Sequence, residues 1–190
     1  MHSSSSVLTI FFYLFTIFAT TFAFHRFSLS NTLITRRAMS VGGSPSSFYE
    51  IVEKDSNGND VSFEKFRGKV VYGVNVASRC GYTAPGYALL SILSQLKDKG
   101  VEVAIFPCNQ FGAQEPGTDA QIQSFCATKG VQGANIFTKA DVNGPNTRPT
   151  YRFLKEKGVF GDIAWNFAGK FVVDKQGNGK SSPLCSISFL

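Results

Sequence analysis

The sequence is poor in the residue types that most metal and nucleic-acid sites need. It has two histidines, His2 and His25, and no acidic residue before Glu50. Without a close Cys/His grouping, the zinc-site spacings are excluded. Four scattered cysteines, Cys80, Cys108, Cys126 and Cys185, are too few for a disulfide scaffold in a chain of 190 residues. No run of Lys and Arg forms a nucleic-acid patch. Of the 19 basic residues, Arg26, Arg36 and Arg37 precede Glu50, which leaves 16 against 13 acidic ones. The net charge of +6 therefore falls to +3 for the remainder. Neither an apolar run of about 20 residues, as a membrane span requires, nor an Asn-x-Ser/Thr sequon occurs. There is one tryptophan against 19 phenylalanines, so the core is expected to be Phe-rich.

The first 43 residues read as an address. Val7 to Phe18 is apolar apart from Thr9 and Thr16 and fits the core of a signal peptide. Thr21-Phe22-Ala23 is a small-residue cleavage site, giving a signal peptide over 1–23. Residues 24–43 are hydroxyl-rich, basic and free of acids, as transit peptides are. A signal peptide joined to a transit peptide with Phe24 at the junction resembles the bipartite presequences of algae with complex plastids, such as diatoms. The expectation is a plastid protein, with secretion as the alternative, and a folded domain over 44–190.

That domain is organised around NVASRCGYT, Asn75 to Thr83. An apolar strand is expected from Lys69 to Ala77 and a helix from Pro85 to about Lys99, with Leu89, Ile92, Leu93 and Leu96 as its apolar stripe. Cys80 then lies where a buried strand turns into a helix. Free amide N–H groups and the helix dipole favour a thiolate there, and Arg79 adds positive charge. An unperturbed thiol, with pKa about 8.5, is only a few per cent ionised at neutral pH. The spacing Cys80-Gly81-Tyr82-Thr83 is a Cys-x-x-Cys motif with a hydroxyl in place of the second sulfur. Taken alone, the segment leaves two readings open, an activated thiolate and a buried structural cysteine.

The rest of the body follows in order. Phe48 to Val61 carries a hairpin signal with Asn57-Gly58 at its turn. Phe63 to Phe66 reads as a helical turn. Val101 to Phe106 is a second core strand and delivers the polar loop Pro107 to Pro116. Thr118-Asp119-Ala120-Gln121 is a capping box opening a helix with Ile122, Phe125 and Cys126. A short helix runs from Thr147 to Lys157, and Ile163 to Phe167 and Lys170 to Asp174 read as strands. This order argues for an α/β fold with a mixed central sheet and helices on both faces.

Three stretches together, NVASRCGYT, FPCNQFGAQEP and WNFAGKF, resemble the signatures of glutathione peroxidases, a branch of the thioredoxin fold. The likeness covers residues 47–174. It implies a thioredoxin-like domain in which Cys80 is the peroxidatic residue and Gln114, Trp165 and Asn166 complete an active-site tetrad, with no metal or organic cofactor. Neutral amide and indole N–H donors suit a step in which negative charge moves from sulfur to oxygen. Only eleven residues separate Phe153 from Trp165, so the insertion of tetrameric, glutathione-using members is absent, which implies a monomer. Cys126 stands where plant and algal members that resemble two-cysteine, thioredoxin-reduced peroxidases carry their resolving cysteine.

The implied function is reduction of hydrogen peroxide and organic or lipid hydroperoxides, with thioredoxin or glutathione as reductant. The alternatives are a peroxide sensor that relays oxidation to a partner protein and a non-catalytic relic. Cys108 reads as buried and non-essential. The chain departs from the pattern by carrying two residues, Ala168 and Gly169, between Phe167 and Lys170. After Asp174 the family's last strand and closing helix are expected to be missing, because KQGNGKSSPLCSISFL has no helical pattern.

Overall fold

Two parallel strands, β3 (Val70–Val76) and β4 (Val101–Pro107), form the centre of the molecule. Both are near-continuous apolar runs because both faces of the sheet are covered. The computed structural model describes residues 44–181, so the presequence reading and Cys185 lie outside the described residues. The chain enters through a hairpin of β1 (Val52–Lys54) and β2 (Asp60–Ser62), whose turn is Asp55 to Asn59. Asp55 Oδ1 accepts the N–H groups of Asn57 and Asn59, and Gly58 has φ of 82°, a value that suits glycine.

The central sheet has the order β5-β4-β3-β6-β7. β5 (Asn135–Ile136) is parallel to β4, while β6 (Phe171–Val173) and β7 (Gly179–Ser181) are antiparallel additions on the β3 side. The sheet is thus mixed, as expected. A strand does follow Asp174, contrary to the expectation for that segment. Asp174 Oδ1 accepts the N–H groups of Gln176 and Asn178 and so shapes the turn that returns the chain along β6. β7 ends at Ser181, and the expectation of a missing closing helix lies outside the described residues.

Each face of the sheet carries its own apolar cluster. Along β4 the side chains alternate, Val103 and Ile105 to one face, Ala104 and Phe106 to the other. The first face is covered by α1 (Thr83–Ser94) and α2 (Asp119–Thr128), through Tyr87, Leu90, Ile122 and Cys126. The second is covered by α3 (Pro149–Glu156) and the N-terminal 3-10 turns, in a phenylalanine-rich cluster with Phe48, Phe63, Phe66, Phe106 and Phe171. Phe106 stacks on Phe137 with centroids 4.9 Å apart. Each fully buried Phe contributes about 1.5–3 kcal/mol. Gly73 is required at the sheet centre, because a Cβ there would lie 2.1 Å from Phe171 Cζ.

Two expectations about elements are corrected. The α1 stripe is shifted: Tyr87, Leu90 and Ser94 are buried, Leu89 and Leu93 pack only partly buried against the same cluster, and Ile92 is 61% exposed. The helix also starts earlier, at Thr83, and a separate 3-10 turn occupies Lys97–Lys99. Residues 163–167 form bends and turns rather than a strand. Their backbone is held by Asn75, as the site shows.

Candidate active site

The N-terminal side of α1 is built by a hydroxyl. Thr83 Oγ1 donates to the Ala77 carbonyl at 2.7 Å and accepts the Cys80 N–H at 3.0 Å. Thr83 thus replaces the second sulfur of the motif with a clamp that folds residues 77–83 into one turn. Cys80 is buried, with 8% of its surface exposed. The Tyr82 N–H lies 3.5 Å from Cys80 Sγ, in the position expected for an amide that favours negative charge before a helix. Tyr82 itself is exposed.

Gln114 arrives on the loop that leaves β4. The Arg79 N–H donates to the Gln114 carbonyl at 3.0 Å, which ties the cysteine loop to the glutamine loop. Asn166 Nδ2 donates to Gln114 Oε1 at 2.9 Å and to the Phe111 carbonyl at 3.2 Å. Gln114 Oε1 is thereby occupied, and its Nε2 donors are left for the site. Trp165 is 41% exposed and packs on Phe111, with ring centroids 5.9 Å apart.

The sequence reading gave Asn166 a direct donor role like that of Gln114. In this structure its amide donates to Gln114 Oε1 and to the Phe111 carbonyl. It is 2% exposed, and its Oδ1 is buried without a partner.

Asn75, inside β3, is the residue whose role sequence reasoning missed. Its buried amide donates from Nδ2 to the Trp165 carbonyl and accepts the Gly169 N–H at Oδ1. Its own carbonyl accepts the Phe167 N–H. One strand residue therefore staples the whole Trp-Asn-Phe turn. Phe167 is held at φ of 62° and Ala113, just before Gln114, at 51°. Positive φ in a bulky residue stores strain, and such residues gather at functional sites. The only signal in the sequence was an Asn in an otherwise apolar strand.

The three described cysteines are free thiols. Cys80 and Cys126 belong to the same buried cluster, on the α1/α2 face, whereas Cys108 belongs to the cluster on the other face. Cys126 is 1% exposed and its Sγ lies 3.7 Å from the Tyr87 hydroxyl. Burial, with the charge of Glu115, pushes its thiol up to about 11, against the opposing effect of its hydrogen bond with Tyr87. Burial likewise pushes the Cys108 thiol up. Among the described residues no three His, Cys, Asp or Glu side chains are grouped to hold a metal.

Known proteins resemble this chain in sequence and in fold. The "probable phospholipid hydroperoxide glutathione peroxidase" of Nicotiana sylvestris is 50% identical over 138 residues, 70% of this chain and 81% of that one. A chain of Arabidopsis thaliana described as a chloroplastic glutathione peroxidase is 51% identical over 135 residues, 69% of this chain and 58% of that one. Among solved structures, T. cruzi GPX1 superposes with a TM-score of 0.54 at 32% identity, covering 72% of this chain and 86% of that one. A thioredoxin-family thiol:disulfide interchange protein from Chlorobium tepidum, 14% identical, matches with a TM-score of 0.50 over 72% of this chain and 83% of that one, a likeness of fold alone. The sequence profile of the glutathione peroxidase family matches residues 48–155, and the chain belongs to that family.

Proposed function

We propose that this thiol peroxidase reduces hydroperoxides at Cys80, and that thioredoxin regenerates it through a Cys80–Cys126 disulfide. The Cys80 thiolate attacks the terminal peroxide oxygen. An S–O bond forms, the O–O bond breaks, and the alkoxide or hydroxide takes a proton and leaves. Sulfur is oxidised to the sulfenic acid. Gln114 Nε2 and the Trp165 indole N–H are the neutral donors offered to the charge as it moves to oxygen. Cys126 then attacks the sulfenic sulfur, water leaves, and a dithiol reductant returns both thiols. The Nicotiana relative's name supports lipid hydroperoxides among the substrates, and Tyr82, two residues after Cys80, offers an exposed aromatic surface.

The observation that carries Cys126 rather than Cys108 is their placement on opposite faces of the sheet, with Cys126 on the face of Cys80. Steady-state peroxide consumption with thioredoxin, against glutathione as comparison, tests the reductant. Turnover with thioredoxin that Cys126→Ser abolishes supports the reading. Normal thioredoxin turnover by Cys126→Ser, or a mapped Cys80–Cys108 disulfide, overturns it. We further propose a monomeric protein delivered to the plastid by residues 1–43. A reporter fused to those residues should reach the plastid of a diatom-like cell, and its secretion into the medium would reject that address.

A further inference from the structure

Asn75 is a polar side chain on a face of the sheet that is otherwise apolar. By alternation along β3 it shares the face of Val71, which belongs to the phenylalanine-rich cluster. It is 0% exposed, and a buried amide costs stability unless its hydrogen bonds are made. Both side-chain bonds go to one turn, residues 165–169. Nδ2 donates to the Trp165 carbonyl at 3.0 Å, and Oδ1 accepts the Gly169 N–H at 2.7 Å. The main-chain carbonyl of Asn75 joins them, accepting the Phe167 N–H at 2.8 Å.

That turn crosses from one face of the sheet to the other. Ile163 before it and Phe171 after it lie in the phenylalanine-rich cluster, while Phe167 within it lies in the cluster of Cys80. Tyr151 of α3 secures the turn's end, its hydroxyl donating to the Gly169 carbonyl at 2.8 Å. Phe167 meets Tyr87 of α1 edge-on, with ring centroids 6.1 Å apart. The turn therefore touches both the strand that leads to Cys80 and the helix that follows it. Through the bond from Asn166 Nδ2 to Gln114 Oε1 it also reaches the loop that accepts the Arg79 N–H.

We propose that Asn75 is a positioning residue for the peroxide step. Its amide sets where the Trp165–Asn166–Phe167 turn sits relative to the strand that carries Cys80, and so sets the places of the Trp165 indole and of Gln114. The proposal rests on Cys80 being the peroxidatic residue with Trp165 and Gln114 as donors. An amide suits the task because it offers a donor to the Trp165 carbonyl and an acceptor to the Gly169 N–H without carrying a charge. A leucine would fill the same space and leave both groups without this partner. The turn would then be free to relax, since Phe167 at φ of 62° is in a conformation that a bulky residue leaves when its restraints are removed.

Two readouts separate positioning from packing. Trp165 is the single tryptophan of the chain, so intrinsic tryptophan fluorescence reports its surroundings alone. The rate at which peroxide oxidises Cys80, taken per folded molecule, reports the donors. A residue that only stabilises the fold changes the folded fraction and leaves both readouts of the folded molecules as they were. Val71 provides that control, because it is buried on the same strand and the same face and has an apolar side chain.

The test uses the full chain, reduced and then mixed with hydrogen peroxide, with Cys80 oxidation read by dimedone trapping and peptide mapping over time. Asn75→Leu should shift the Trp165 emission and slow Cys80 oxidation about tenfold or more, as small misplacements of reacting groups do. Val71→Ala should leave both readouts of the folded protein at wild-type values. An Asn75→Leu protein in which either readout is unchanged overturns the proposal, and so does a Val71→Ala protein that is slowed as much. If Asn75→Leu does not fold, Gly169→Ala reaches the same contact from the side of the turn. Its Cβ would lie 2.7 Å from Tyr151 Cε1 and 3.0 Å from Asn75 Oδ1. It should give the same pair of changes. Wild-type emission or a wild-type rate in Gly169→Ala overturns the proposal, because a contact that absorbs this Cβ without effect does not position the turn. A wild-type protein whose Cys80 is not oxidised by peroxide overturns the peroxidatic assignment itself, and mapping recognises that case before any variant is made.

Discussion

Cys80 and Cys126 are chemically distinct thiols although both are buried. The Tyr82 N–H reaches toward the sulfur of Cys80, while Cys126 has only a tyrosine hydroxyl. Cys80→Ser should abolish peroxide consumption, because an alcohol is neither ionised near neutral pH nor able to cycle through a sulfenic state. Coupled assays on the folded variant check this. Cys126 should resist iodoacetamide at neutral pH in the reduced protein. Its thiol pKa is raised in the docked helix, so its contribution to docking is complete below the ordinary value of 9.0 and is lost as pH rises toward about 11. Labelling should therefore accelerate across that window by more than thiol ionisation of a free cysteine predicts. The candidate site residues stood out in the sequence because their types are unusual in their settings: a Cys at a strand end, a capped helix with a second Cys, a lone Trp. Asn75 and Tyr87 were not legible. Asn75 finds its partner Gly169 94 residues away, and no local pattern records such a bond.

In the proposed cycle α2 carries Cys126 toward Cys80, and the helix's hold on the molecule is modest. Only Ile122 and Cys126 are fully buried in it. Its first turn is secured by the capping box, with Thr118 Oγ1 accepting the Gln121 N–H and Gln121 Oε1 accepting the Thr118 N–H. Removing a cap costs about 1 kcal/mol. Thr118→Ala should raise hydrogen exchange over residues 119–128 by about fivefold and leave disulfide formation equal or faster. Slower formation would mean that the docked helix, not the open one, is the reacting form. α1 works in the opposite way, as the fixed element. Gly86 lies against Phe167, and a Cβ would meet its ring at 2.5 Å. Gly86→Ala should displace Phe167 and the adjoining Asn166, lowering peroxide turnover more than a surface Gly-to-Ala change such as Gly161→Ala does. The capping box was readable because it is local. The phase of the α1 stripe was not, because Tyr87 anchors the inward face through edge-on contacts with Phe125 and Phe167, which come from distant parts of the chain.

At the scale of the molecule, the phenylalanine-rich face is joined to the chain's entry by one buried ion pair. Arg148 and Glu53, 95 residues apart, form a fork in which Arg148 Nε and Nη2 both donate to the carboxylate. The pair is almost fully buried, at 1% and 3% side-chain exposure. It is hydrogen-bonded on all sides: the Thr150 N–H donates to Glu53, and Arg148 Nη1 donates to the Thr138 carbonyl. The guanidinium also lies over the Phe106 ring at 4.6 Å. This one contact fixes β1 to the start of α3 and to the loop after β5. Such a pair adds little over an apolar filling, but removing one partner strands a buried charge and costs about 3–5 kcal/mol. That is a large share of the roughly 5–15 kcal/mol that holds a domain folded. Arg148→Ala should therefore lower the urea midpoint sharply. The double change Arg148→Met with Glu53→Leu should recover only part of the loss, because the Thr150 N–H and Thr138 carbonyl then remain unpaired. Cys80 lies on the other face of the sheet, so the folded fraction of each variant should still oxidise Cys80 at the wild-type rate. An Arg148→Ala protein within about 1 kcal/mol of wild type would show that water reaches the Glu53 carboxylate and that the two clusters, not the ion pair, hold the entry hairpin in place.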